Sequence, residues 1–214
     1  MIKTFVSYHH LLDQHYKDSF VQWAEEWGLI SNRSVEVGDI DETLPTQTIR
    51  RVIRDDFLMD TEVTVLLCGK ETRYRKHIDW ELKSSMINGS RNTQSGILVI
   101  NLPNSGSTSW HSCFGSEEKS LIYPDYSGSW ISIETKSDYK TRYPNMPERI
   151  LENLIAPDVK IPIVPWENVY GYPDRLKFLL SQCAQAGKIN RYDLSRPMRM
   201  KNYNPREDAF DFRV

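Results

Sequence analysis

Val63-Thr64-Val65-Leu66-Leu67-Cys68, closing on Gly69, is an unbroken run of apolar and β-branched residues. A strand with one face in water alternates polar and apolar side chains, whereas a strand covered on both faces does not. The run therefore reads as an inner strand of a parallel sheet with helices on either side. Gly96–Leu102 (GILVINL) has the same character, and Ile2–Tyr8 is a shorter β-rich stretch. Helical periodicity separates these runs. Tyr16, Phe20, Trp23 and Trp27 fall at helical spacing after Asp13, which reads as the helix cap, and Gly28 reads as the stop. That aromatic stripe is read as core packing. Ser34–Ile40 reads as a second, weaker strand, and Pro45 opens a helix with Ile49, Val52, Ile53 and Phe57 on its apolar stripe. A third helix is expected over Tyr74–Ile87, stopped near Asn88-Gly89.

The rhythm breaks at residues 103–158, a stretch rich in Ser, Gly, Pro, Tyr and Asn. A strand is expected there at Trp130–Ile133 and a short helix from Pro147. So long an irregular insertion usually forms a lid or a contact surface. Val159–Val164 resumes the strand pattern, and Asp174–Ala186 reads as a last helix stopped by Gly187. From Ile189 onward no period is visible, and this tail is expected to cross the surface or reach a neighbouring subunit. The order predicts an α/β fold: a flavodoxin-like, doubly wound, mainly parallel five-stranded sheet with a long insertion before the last strand. The expected organisation is one domain over 1–188, with the insertion at about 103–158, and a C-terminal extension over 189–214. Ligands of such sheets bind at the carboxyl ends of the strands. Tyr8–Asp13, Gly69–Arg75 and the start of the insertion should share that rim.

With 214 residues, 39% of them hydrophobic and 26% charged, the chain can bury a core without disulfides or a structural metal. Its formal net charge of −2 argues against general nucleic-acid binding. Cys68, Cys113 and Cys183 are far apart and form no CxxC pattern, which suits a reduced compartment. Neither a signal peptide nor an apolar run of about 20 residues is visible, so a cytoplasmic protein without a membrane span is expected. The absence of a GxGxxG after the first strand and of a P-loop weighs against a redox Rossmann enzyme or an ATPase.

Phe5-Val6-Ser7-Tyr8, followed by Asp13, resembles the opening motif of TIR domains. Val63–Gly69 and the segment Thr72–Ser85 (TRYRKHIDWELKSS) resemble the bacterial TIR-like family typified by the TIR component of Thoeris anti-phage defence, the ThsB-like group. The likeness covers roughly residues 2–102. His9-His10 departs from it, standing where an acidic or small residue is more usual. The resemblance implies cleavage of the nicotinamide–ribose bond of NAD. It implies release of a cyclic or modified ADP-ribose that signals to a partner effector protein, with activity conditional on a trigger. NAD would be substrate, no cofactor being needed, and the family's catalytic glutamate falls on Glu81.

The residues fit that chemistry. Nicotinamide leaves from a cationic pyridinium as a neutral molecule and needs no proton, so the two-carboxylate arrangement of ordinary glycosidases is not compulsory. One carboxylate suffices to hold the ribose hydroxyls and stabilise the developing positive charge. On the third helix Tyr74, Ile78, Glu81 and Ser85 share a face with Leu82 beside it, so Glu81 should be partly buried. The bland alternative is an exposed Glu81 paired with His77 or Lys83. Asp79, away from Glu81 on the wheel, is expected to be solvated or in a salt bridge. Substrate contacts are expected from Phe5, Ser7, Tyr8, His9, Asp13, Arg73 and Trp80, with simple packing the stronger reading for Phe5 and Trp80. Phosphates would meet the amino end of the first helix or the Arg73, Arg75, Lys76 cluster, which otherwise reads as a solvated face. His9, His10 and His15 match no standard metal spacing, and no metal site is expected. Cys68 is read as an inert core thiol. Two rivals stay open: a non-catalytic TIR-like module that self-associates as a homo-oligomer or recruits an effector, and a nucleoside-processing glycosyl transferase. A nuclease is disfavoured, since no carboxylate cluster has metal-binding spacing.

Overall fold

The computed structural model describes residues 1–33, 48, 58–89 and 93–203. Its centre is a five-stranded, wholly parallel sheet in the order β2-β1-β3-β4-β5. The strands are β1 (Ile2–Ser7), β2 (Ile30–Asn32), β3 (Val63–Cys68), β4 (Gly96–Asn101) and β5 (Ile163–Pro165). This is the flavodoxin-like order expected of the sequence. Every residue of β3 and β4 is buried, as their unbroken apolar runs require. The second strand is Ile30–Asn32, ahead of the expected one. The expected strand at 34–40 and helix from Pro45 to Phe57 lie outside the described residues.

Six α-helices are described: α1 (His10–Glu26), α2 (Lys76–Met86), α3 (Gly115–Ile122), α4 (Lys136–Arg142), α5 (Glu148–Leu154) and α6 (Pro173–Ile189). A 3-10 turn, Thr72–Tyr74, precedes α2, so the expected helix is divided at Arg75. Two apolar clusters flank the sheet. Phe20 and Ala24 of α1 and Leu176, Leu179 and Leu180 of α6 pack on one face, with Tyr16 and Trp23 beside them. Ile78, Leu82 and Met86 of α2 pack on the other with Tyr139, Tyr143, Ile150 and Leu151. Trp27 is left exposed as α1 ends at Gly28 (φ +63°).

Several local expectations are corrected. Asp13 does not cap α1: His9 is the N-cap, its ring accepting the N–H of Leu12, and Asp13 lies buried in the first turn. Tertiary burial of the carboxylate outweighs its local capping preference. The stretch 103–158 holds the short helix expected from Pro147, α5, and two further helices that were not expected, α3 and α4. Trp130–Ile133 forms no strand and is largely exposed, because the edge of β5 is met instead by a bridge to His111. The strand expected at Val159–Val164 shortens to β5.

Gly187 does not stop the last helix, which runs on to Ile189. A methyl group at Gly187 would stand 2.3 Å from the backbone nitrogen of Gly96, and one at Gly96 would stand 1.8 Å from the Cys183 carbonyl oxygen. The paired glycines let α6 lie directly on the start of β4.

The tail crosses the outer side of α2. Trp80 Nε1 donates to the Arg199 carbonyl at 2.8 Å, and Lys83 Nζ to those of Leu194 and Arg196. Of the two expected settings for Asp79, solvated or salt-bridged, the structure has the salt bridge. Arg149, fully buried on α5, holds it with two hydrogen bonds of 2.9 and 3.1 Å, and the Arg199 N–H adds a third at 2.8 Å. Among the described residues no helix is long and apolar enough to cross a membrane.

Gly187→Ala is expected to destabilise the protein by about 1–3 kcal/mol, because backbone rather than a pliable side chain opposes the new methyl. Arg149→Ala, which strands a buried carboxylate, is expected to cost about 3–5 kcal/mol. Denaturant unfolding of each variant checks both values.

Candidate functional site

Ser7 is the last residue of β1, and Glu81 lies midway along α2, whose apolar side packs on the sheet. The alternation of β1 sends Val6 and Tyr8 into the α1 and α6 cluster and turns Ser7 to the opposite face. There Ser7 Oγ donates to Glu81 Oε2 at 2.6 Å, with both residues buried. Only 3% of Glu81 is exposed, which excludes the surface pairing with His77 or Lys83. Burial pushes its carboxyl up to about 8, and the bond from Ser7 opposes that rise. The acid therefore keeps its proton at neutral pH while its setting stays apolar. A second link fixes the helix: Thr64 Oγ1 donates to Ser85 Oγ at 2.8 Å, and Ser85 Oγ donates to the Glu81 carbonyl at 2.8 Å.

A second polar group lies along the same rim. Asp13 is fully buried against Gly69, where a Cβ would come within 2.3 Å of its Oδ2. Asn104 Nδ2 donates to Asp13 Oδ1 at 2.9 Å, joining α1 to the start of the insertion. The Gly69 N–H meets Thr72 Oγ1 at 2.8 Å. The three expected rim segments thus converge. Burial raises the Asp13 carboxyl above its ordinary range, and Asn104 opposes this. Burial also lowers His9, helped by the charge of Arg75, which favours the neutral ring. Among the described residues Asp13 Oδ2, His9 Nε2 and Arg75 Nε have no hydrogen-bond partner although each is buried. His9 Nε2 and Glu71 Oε2 are 3.7 Å apart, beyond a hydrogen bond.

The other expected site residues divide between core and periphery. Phe5 is buried in β1, on the same side of the strand as Ser7 by alternation. Tyr8 is buried on the α1 side, donating to Gln14 Oε1 at 2.7 Å, with the His10 ring tilted against it at 4.6 Å. Arg73 bonds the Pro144 carbonyl and lies 3.9 Å from Glu148, facing the insertion. Trp80 is covered by the tail and meets His77 edge-on. Arg75 pairs with Glu71 rather than with solvent alone. The Cys68 thiol is buried and pushed far up by desolvation. Asn104 and the Thr64–Ser85 link were not legible in the sequence as site elements, since each depends on contacts between segments distant along the chain.

The five-stranded parallel sheet with helices on both faces is that of a flavodoxin-like, TIR-like α/β domain. Residues 5–107 match the family model of the Thoeris protein ThsB, TIR-like domain. The matched span holds Ser7, Asp13, Glu81 and Asn104 and stops short of α3. No curated protein matches the chain.

The displaced acidity of Glu81 has a consequence for stability. An unfolded glutamate ionises near pH 4.5, whereas the folded one keeps its proton up to about 8. Between those values the folded state binds more protons, so stability falls as pH rises. Glu81→Gln, which cannot ionise, is expected to be more stable than the wild type by on the order of 2–4 kcal/mol at pH 8.5. The two should differ little at pH 4.5. Unfolding curves at the two pH values check the sign.

Proposed function

We propose that the protein is the nucleotide-cleaving component of a Thoeris defence system, breaking the nicotinamide–ribose bond of NAD with Glu81 as the catalytic carboxylate. The observation that carries this reading is the buried Glu81 held by Ser7 at 2.6 Å on the edge where such sheets take their ligands. A cationic nicotinamide riboside, or the oxocarbenium ion formed as nicotinamide leaves, would stabilise the ionised form of Glu81 in an apolar setting. The carboxylate would thus be strongest as a partner when positive charge develops beside it. Ser7 orients the carboxylate and eases its ionisation. The unfilled hydrogen-bonding capacity of Asp13 and His9 fits a ligand rich in hydroxyls and phosphates at the neighbouring rim. His9, Asp13 and Phe5 are proposed as substrate neighbours. Arg73, Tyr8 and Trp80 act through packing of the insertion, α1 and the tail. The product is proposed to be a cyclic or modified ADP-ribose that reaches an effector protein, and the activity to require a trigger. NAD is the substrate, and no cofactor or metal takes part.

The test is nicotinamide release from NAD by protein purified from phage-challenged cells. Glu81→Gln is expected to lower kcat/KM by at least about a thousandfold, the scale of removing a transition-state charge partner. Wild-type kcat/KM should rise with pH and level off above about 8, as Glu81 ionises. Ser7→Ala removes a bond that favours the ionised form, so its limb should move to higher pH. Nicotinamide release that survives Glu81→Gln would remove this residue from the reaction. Consumption of nucleosides with NAD left intact would favour a glycosyl transferase instead.

A further inference from the structure

Beyond the span matched by the family model, the insertion builds a cleft of about 580 Å³. Its floor is anchored to the sheet. His111 exchanges backbone bonds of 2.8 and 2.9 Å with Ile163 of β5, and Asn101 at the end of β4 donates to the Ser109 carbonyl at 3.1 Å. The walls are aromatic. Trp110 stacks on Tyr123 (interplanar 23°), while Tyr126 and Trp130 meet Trp110 edge-on at 85° and 65°. Edge contacts leave ring surface uncovered, in keeping with the 39% and 37% exposure of Tyr126 and Trp130. Two cations line the cleft, Lys119 with its Nζ 4.4 Å from the Trp130 ring and Arg142 at the end of α4.

No Asp or Glu stands among the residues lining this cleft, although the chain carries more acidic than basic side chains. Glu118 stands behind the lining, its Oε2 taken up by the Ser112 hydroxyl at 2.8 Å and by the Cys113 and Phe114 N–H groups, and Asp138 lines an adjoining hollow. There Asp138 is engaged by Thr135, whose hydroxyl donates to it at 2.6 Å. His111 is held down to about 4 by burial and adds no charge, its Nδ1 lying 3.3 Å from the Tyr139 hydroxyl. The remaining lining mixes serine and threonine hydroxyls with Ile131, Ile133 and Leu154. Part-exposed aromatic rings, two cations and no carboxylate on the lining itself suit a planar ring carrying an anionic group. The volume falls in the range of small-molecule sites.

We propose that this cleft is a second nucleotide site, separate from the Glu81 edge. The base lies against Trp130 and Tyr126, and the phosphate meets Lys119 and Arg142. The site does not depend on the chemistry proposed for Glu81, since it requires binding and no turnover.

Titration calorimetry of the full chain with ADP tests it. Saturable binding is expected, weakened at least about tenfold by Trp130→Ala and by the double change Lys119→Ala with Arg142→Ala; tenfold corresponds to about 1.4 kcal/mol. Adenosine, which lacks the anion, and inorganic pyrophosphate, which lacks the ring, should each bind at least about tenfold more weakly than ADP. Trp130→Ala removes ring packing as well, so the charge pair variant, which leaves every ring in place, serves as the independent arm. The proposal fails if ADP shows no saturation up to about 1 mM, an affinity of only about 4 kcal/mol. It fails equally if ADP binds the wild type and both cleft variants alike. Binding lost in Glu81→Gln but kept in the cleft variants would place the nucleotide at the sheet edge and overturn a second site.

Discussion

Helix α2 carries two acids on different sides, and the ion pair made by one of them fixes where the other goes. Asp79 faces outward and is gripped by the fully buried Arg149 and by the backbone N–H of Arg199. That contact ties three remote pieces of chain together: the helix before β4, the last helix of the insertion, and the tail. A buried ion pair adds little net stability, because desolvation of both groups offsets their attraction, but its geometry is exacting. Trp80 and Lys83 extend the hold to the tail backbone. With the outer side of α2 fastened, its inner side is pressed on the sheet and Glu81 lies beneath the end of β1.

Glu81 is an unfavourable residue for folding in that position. A carboxyl in so dry a setting is held as the neutral acid at pH 7, and ionising it in the folded protein is opposed by lost hydration. Leu82, beside it on the same helix, shows what the packing alone would prefer. Sites of this kind, where a group is kept in a form that its surroundings resist, are common where charge must be met during a reaction. Ser7 and Ser85 limit the strain, one at the carboxylate and one at the carbonyl of the same residue.

Along the rim, the sheet brings the loop after β3 and the start of the insertion onto the first turn of α1. The contact of Asp13 with Gly69 and Asn104 is the meeting point. Sequence reasoning located that rim, because strand order and the carboxyl-end rule depend only on topology. It misassigned Asp13, whose spacing to the helical stripe suits a cap. A cap is a local preference worth about 1 kcal/mol, and burial against a distant loop overrides it. The same holds for Gly187, which reads as a helix stop until the close approach of Gly96 is seen.

The parallel sheet and the buried strands β3 and β4 were legible in the sequence, because uninterrupted apolar runs are local patterns that burial imposes, and the candidacy of Glu81 came from the resemblance of Thr72–Ser85 to the TIR-like family. Tertiary structure alone decided which neighbours Glu81 would have. Ser7 is 74 positions away and reaches it through the pleat of β1, while Arg73 and Trp80, close in sequence, turn toward the insertion and the tail. It also decided that the stretch expected to be irregular but for a helix from Pro147 would add two more helices and an aromatic cleft. Short helices and ring clusters draw their stability from contacts with the rest of the molecule, which no local window of sequence contains.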